Sequence, residues 1–240
     1  MTNFTGDYSQ YQKGLGDVAS RVAIRVREQM FDAMMALAKP TADTRVLDVG
    51  VTSEDRPGTN FVEDLYPYPE SLTATGAEDA SYLERKRPGV RFVRADASVL
   101  PFADGSFDLL IASAMIEHVG SRQQQRRVVQ ELCRVGGSVC LTTPNRFFPL
   151  EFHTVVPLLH WLPAAMFRGA LRRIGRDFYA SEETLNLLSE GDLLSLVPAG
   201  RRAVVRRFRL LGWTSNLLLY IEPADAPPRA PRHAGARETG

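Results

Sequence analysis

Five places in this 240-residue chain hold side chains able to do chemistry. Asp48 sits inside an apolar run, Val46-Leu47-Asp48-Val49, that ends on Gly50. A carboxylate there needs donors or a cation, and the glycine lets the backbone turn close to a ligand. Glu78 and Asp79 follow the apolar run Leu72 to Gly76. An acid at that point can accept hydrogen bonds from both hydroxyls of a ribose. Asp96, followed by Ala97, ends a third such run. Three carboxylates at three strand ends suit a hydroxyl-rich ligand that carries an amine. The other two places are Glu117-His118 and Glu151-His153. Histidine titrates near neutrality, so His118 is expected to act as a general base on a hydroxyl or amine. Glu151 and His153 are expected to hydrogen-bond a substrate.

These side chains need a frame that places strand ends together. From Asp17 the apolar residues Val18, Val22, Val26, Met30 and Met34 recur at helical spacing, and Pro40 closes that helix. Strands are expected at Arg45–Val49, Leu72–Gly76, Arg91–Ala95, Phe107–Ser113 and Ser138–Thr143. Short helices are expected over 60–65 and 81–86, and a longer one from Ser121 through Cys133. Strand four is nearly all apolar, which places it at the centre of the sheet. Short apolar strands alternating with helices predict a doubly wound parallel sheet. Ser189 with Asp192 forms a capping-box pattern for a helix over 191–196. Arg202–Leu210 and Asn216–Glu222 form a pair of strand-like runs around Leu211-Gly212-Trp213.

The segment from Val46 to Asn145 resembles the class I S-adenosylmethionine-dependent methyltransferases. The likeness rests on the three strand ends, and on Leu100-Pro101-Phe102, Ser106-Phe107-Asp108, Ile116-Glu117-His118 and Thr143-Pro144-Asn145, in that order. The resemblance implies a Rossmann-like, mostly parallel seven-stranded α/β sheet with helices on both faces. It also implies a helical cap inserted after strand five and a closing hairpin. It gives Glu78, with Asp79 as an alternate, to the ribose of S-adenosylmethionine, and Asp96 with Ala97 to the adenine. Asp48, Gly50 and Ser113 fall to the methionine part. One piece departs from the family. Its usual Gly-x-Gly-x-Gly is here Gly50-Val51-Thr52-Ser53. A rerouted loop is expected, with the Thr52 or Ser53 hydroxyl binding the methionine carboxylate. Relatives with Glu-x-x-Glu-His bind a divalent metal, but Ala114 stands at the first Glu position here, so no metal is expected.

On this reading residues 1–222 form one methyltransferase domain: arm and helix 1–40, cofactor core 41–144, cap 145–198 and hairpin 199–222. Residues 223–240 form a Pro- and Arg-rich disordered tail, and the polar stretch 1–16 is a frayed arm or a lid. The cap is aromatic and broken by Pro149, Pro157 and Pro163. It predicts an acceptor pocket for a small molecule with an apolar portion, or a membrane-surface element over 147–176 with Arg beside Trp and Phe. Asn145 and Arg146 are placed at the pocket mouth, and His118, Glu117 and His153 are the candidate catalytic residues. The expected reaction is O- or N-methylation, releasing S-adenosylhomocysteine. The alternatives are a non-catalytic binding module on the same fold and a non-methylating enzyme that uses the same cofactor. A formal net charge of +1 argues against a nucleic-acid partner. Cys133 and Cys140 lie in apolar segments and are expected to be reduced core residues. No signal-peptide pattern or membrane-spanning run is present, so a cytoplasmic protein is expected.

Overall fold

The computed structural model describes residues 17–55 and 58–224. The expectations for 1–16, and for the tail beyond 224, lie outside them.

Seven strands form one sheet in the order β3-β2-β1-β4-β5-β7-β6. In chain order they are β1 (Val46–Val49), β2 (Leu72–Gly76), β3 (Arg91–Arg94), β4 (Phe107–Ser113), β5 (Gly136–Pro144), β6 (Ala203–Leu210) and β7 (Trp213–Ile221). The first five are parallel, and β7 runs antiparallel between β5 and β6. β4 is the central strand, as its apolar run predicts. The chain runs outward from β1 through β2 to β3, then returns to the other side of β1 with β4. The crevice at that reversal, over the carboxyl ends of the strands, is where open α/β sheets bind ligands.

The two faces of the sheet are covered differently. On one face α1 (Asp17–Ala38), α2 (Phe61–Leu65) and α3 (Tyr82–Lys86) pack Met30, Met34, Val62 and Leu83 against Val46, Leu72 and Ile111. On the other, α4 (Arg122–Val135) and α6 (Glu190–Leu194) pack Val129, Leu132 and Leu193 against Leu47, Leu110 and Leu141. Each fully buried leucine contributes about 1.5–3 kcal/mol relative to exposure. Cys133 and Cys140 are both free thiols, and Cys140 is fully buried.

Sequence signals at the helix starts act as expected. The Ser121 hydroxyl accepts from the Gln124 N–H, and the Gln124 side chain accepts from the Ser121 N–H. Ser189 and Asp192 do the same for α6. The cap is less helical than expected. Ahead of α6 it holds one α-helix, α5 (Ala164–Arg173), flanked by single 3-10 turns at Leu159–Trp161 and Asp177–Ala180. Proline is the cause: Pro157 and Pro163 remove the N–H groups that a continuous helix needs. A separate small core of Phe167, Leu171, Tyr179 and Leu185 holds the cap together. Among the described residues, no helix is long and apolar enough to cross a membrane.

Candidate functional site

A single cleft of about 2550 Å³ opens over the strand ends. Asp48, Gly50, Thr52, Glu78, Asp79, Asp96, Ala97, Ser113, Glu117, His118 and His153 all line it. The cleft has two ends of different construction.

The first end is built from the edges of β1, β2 and β3. Gly50 has φ +100°, and a Cβ there would lie 2.9 Å from the Met115 Cβ. Gly76 is needed for space, because a Cβ on it would come within 2.4 Å of the Val51 carbonyl oxygen. The loop after β1 therefore crosses directly over the end of β2, with the Gly50 N–H donating to the Thr75 carbonyl at 2.8 Å. Val51 turns its side chain into the core at 6% exposure.

Asn60 pins the rerouted loop. Its Oδ1 accepts from the Thr52 N–H at 3.0 Å, and its Nδ2 donates to the Thr52 carbonyl at 2.9 Å. The Tyr82 hydroxyl donates to the Glu54 carbonyl at 3.1 Å. The Thr52 hydroxyl accepts from the Glu54 N–H, which fixes its direction within the loop. The Ser53 hydroxyl donates to Glu78. Sequence reasoning missed Asn60 and Tyr82. An asparagine before an apolar helix start looked like an ordinary helix boundary.

The acids at this end differ in what they do. Asp79 accepts from the Ser81 N–H at 2.9 Å, which holds its carboxyl below the usual range. It caps the turn into α3. The Asp96 Oδ1 accepts from the Ser98 N–H and hydroxyl at 2.8 and 2.7 Å. Asp48 is 5% exposed and is paired with an acid that sequence reasoning overlooked, Glu63 of α2. Burial pushes Asp48 up to about 7, even with the Glu63 proton and the Val49 N–H acting against it. Glu63 goes well above the usual range, through burial and then through the Asp48 charge. Neither Glu63 oxygen makes a fully formed hydrogen bond with any described residue. Burial and the neighbouring Asp48 charge both favour the protonated form of Glu63.

The second end is assembled from distant parts. β4 ends at Ser113, whose hydroxyl pairs with that of Thr142 at 2.8 Å. A left-handed Ala114 (φ +50°) then turns the chain into a short 3-10 segment carrying Glu117 and His118. Gln125 of α4 braces it by donating to the Ile116 and Asn186 carbonyls, each at 2.9 Å. Glu117 is fully buried, and its Oε2 accepts from the Thr143 hydroxyl at 3.0 Å. Its Oε1 has no hydrogen-bond partner among the described residues. The His118 Nδ1–H donates to the Thr184 carbonyl at 2.7 Å. The His153 Nδ1–H donates to the Glu151 Oε1 at 2.6 Å, and the two imidazole rings lie 4.7 Å apart, edge to face.

Charge is sorted within this cluster. Burial would raise Glu151, but the His153 charge and donors from His153 and Thr154 hold it at about 2. Burial would lower His153, but Glu151 and Glu117 keep it raised. Burial, with the His153 charge, drops His118 to about 3, so it stays neutral. Burial pushes Glu117 up against the pull of His153. The result is a histidine of raised proton affinity, His153, beside two acids, one of which has an oxygen without a hydrogen-bond partner among the described residues. A ring so hard to protonate weighs against the expectation that His118 acts as a general base. Glu117, His118 and His153 also offer one ligand atom each within 4.8 Å of one another.

Asn145 and Arg146 do not reach the cleft. The Asn145 N–H donates to the Ser215 carbonyl and its Nδ2 to the Thr214 carbonyl, so β7 ties it down outside the cleft. Arg146 donates to the Leu162 carbonyl inside the cap.

Strand order, strand-end acids and the crevice at the reversal define the class I, Rossmann-like methyltransferase fold. Residues 69–141 match a family model described as a methyltransferase domain. An uncharacterized methyltransferase of Mycobacterium tuberculosis is 30% identical over 143 residues, covering 57% of this chain and 52% of that protein. A demethylmenaquinone methyltransferase of Roseiflexus castenholzii is 31% identical over 141 residues, covering 53% and 57%. The chain thus spans about half the length of the curated relatives it matches. The structure of the N-methyltransferase NodS from Bradyrhizobium japonicum, in complex with S-adenosyl-L-homocysteine, matches with a TM-score of 0.52. Identity there is 14%, over 82% of this chain and 86% of that one.

Proposed function

We propose that this chain transfers a methyl group from S-adenosylmethionine to a hydroxyl oxygen of an acceptor with an apolar portion. One observation carries the proposal: the cofactor acids and the Glu117–His153 cluster line one continuous cleft. The first end fits the cofactor by donor chemistry. Asp48 beside the glycine turn suits an ammonium, Glu78 suits a diol, and Asp96 with the Ala97 N–H suits an adenine edge. When bound, the cofactor supplies a methyl already activated on a sulfonium. The C–S electron pair stays with sulfur, the acceptor oxygen forms the new C–O bond, and its proton must leave.

The chain's own residues handle position and proton. Holding the acceptor oxygen in line with the methyl supplies much of the rate. The proton passes to the Glu117 carboxylate, whose affinity for protons is raised by burial. His153, held by Glu151, stabilises the Glu117 carboxylate before transfer. His118 stays neutral and shapes the site. Phe148, Phe152, Phe178 and Trp213 line the acceptor end and suit an apolar body. This account calls for no metal ion.

Calorimetric titration with S-adenosylhomocysteine tests the cofactor half. Micromolar binding, about −8 kcal/mol, is expected, with no heat from NADH. Absence of binding overturns the methyltransferase reading and favours a non-catalytic module on the same fold.

A further inference from the structure

The rim of the acceptor end carries side chains that the fold does not explain. Leu211, at the tip of the β6–β7 hairpin, is 91% exposed and has φ +51°. Two-residue hairpin turns of this kind call for Asn or Gly at positive φ, because a branched apolar side chain is strained there. Leu158, in the cap, repeats the anomaly: it is half exposed at φ +60°. Beside them Trp161 and Trp213 meet with ring centroids 6.2 Å apart, which joins the cap to the hairpin. Met166 extends the apolar surface onto α5 at 58% exposure. Leu211 and Trp213 also line the cleft, so the patch is continuous with the acceptor's entrance.

Arginine outnumbers acid along the segments that carry this patch, although Arg168 and Arg207 are ion-paired with Glu182 and Glu190. Residues 152–176 contain no Asp or Glu and four arginines, at 168, 172, 173 and 176. The hairpin arm adds Arg206 and Arg209, with no acid between 193 and 221. Arg172, Arg173 and Arg209 are exposed. The chain as a whole is near neutral, so this asymmetry is local. Exposed leucines and paired tryptophans on segments rich in arginine form the pattern that enters the headgroup boundary of a bilayer. The arginines add attraction to anionic headgroups.

We propose that this rim docks on an anionic membrane surface, and that the acceptor is an amphiphile that enters the cleft from that surface. The inference rests on the acceptor assignment above and fixes its class: a hydroxyl at the polar end of a membrane-resident molecule. Docking presents the Trp161–Trp213 edge of the cleft to the headgroups, while the cofactor end stays in water.

Co-sedimentation of the full chain with phosphatidylcholine vesicles, with and without phosphatidylglycerol, tests it. The anionic vesicles should bind about tenfold more protein, with the excess falling as salt is raised. Trp161→Ser with Met166→Glu, and separately Leu211→Asp, should each remove most of that binding. The Trp161–Met166 double variant should bind S-adenosylhomocysteine like the parent, which separates lost docking from lost fold. Equal binding to both vesicle types, none to either, or full retention in the variants would overturn the proposal. A dimer in light scattering that the same variants dissolve would also overturn it, assigning the face to a second copy. Because S-adenosylhomocysteine binding is measured separately, failure of docking and failure of the cofactor assignment give different results.

Discussion

The two ends of the cleft are built on different length scales. The cofactor end uses successive strand edges, each followed within a few residues by its own acid. The acceptor end uses Glu117, Thr143, Glu151, His153 and Thr184, brought together across the central strands and the cap. Local construction gives separate, modest contacts. Remote construction gives a buried charge network whose members depend on one another. Substitutions should therefore weaken the first end gradually and disable the second sharply.

The largest effect is expected from Glu117→Gln. It keeps shape and removes the proton acceptor. Turnover should fall by about 10²–10⁴ with S-adenosylhomocysteine affinity unchanged. A variant of near-normal rate would return the base to a histidine.

Glu151→Gln comes next, and it reads out in stability. It leaves the buried His153 without its carboxylate, and breaking a buried pair costs about 3–5 kcal/mol. Thermal unfolding should show a drop of many degrees, with turnover falling as well. An unchanged melting temperature would mean that the Glu151–His153 contact adds nothing to the fold.

This difference in scale also decides what the sequence discloses. Strands β2 and β4, the Ser121 cap and the placement of Glu78 just past the end of β2 depend on neighbours a few residues away, so pattern alone finds them. The Glu63 partner of Asp48 was hidden because a carboxylate in a first helical turn looks like dipole chemistry. The pairing of Glu117 with His153 spans 36 positions of numbering and depends on how the cap folds back, which periodicity cannot encode. Asn145 was misplaced for a similar reason: its fate is set by β7, whose insertion between β5 and β6 no local signal announces.

Glu78→Ala is a smaller, local change. It removes charged hydrogen bonds worth about 1.5–3 kcal/mol, so S-adenosylhomocysteine should bind roughly ten- to a hundredfold more weakly, with little change in melting temperature. Unchanged affinity would place the ribose elsewhere, and comparison with Asp79→Ala, expected to bind normally, would show which acid holds it.

The smallest effect is a pH dependence at the cofactor end. Asp48 ionises in the folded protein at about 7, against about 3.9 unfolded. A carboxyl raised in this way contributes stability that is full below about pH 4 and lost as pH rises through 7. The ligand's ammonium reverses the preference, because it binds the ionised form. S-adenosylhomocysteine affinity should therefore rise about five- to tenfold between pH 6 and 7.5, with a proton released on binding. Calorimetry in buffers of different ionisation enthalpy measures that proton directly. Asp48→Asn should flatten the slope, whereas Glu117→Gln, at the other end of the cleft, should leave it intact. A slope that followed Glu117 instead would show that the two ends are electrically coupled, and the separation of the cleft into a local and a remote half would fail.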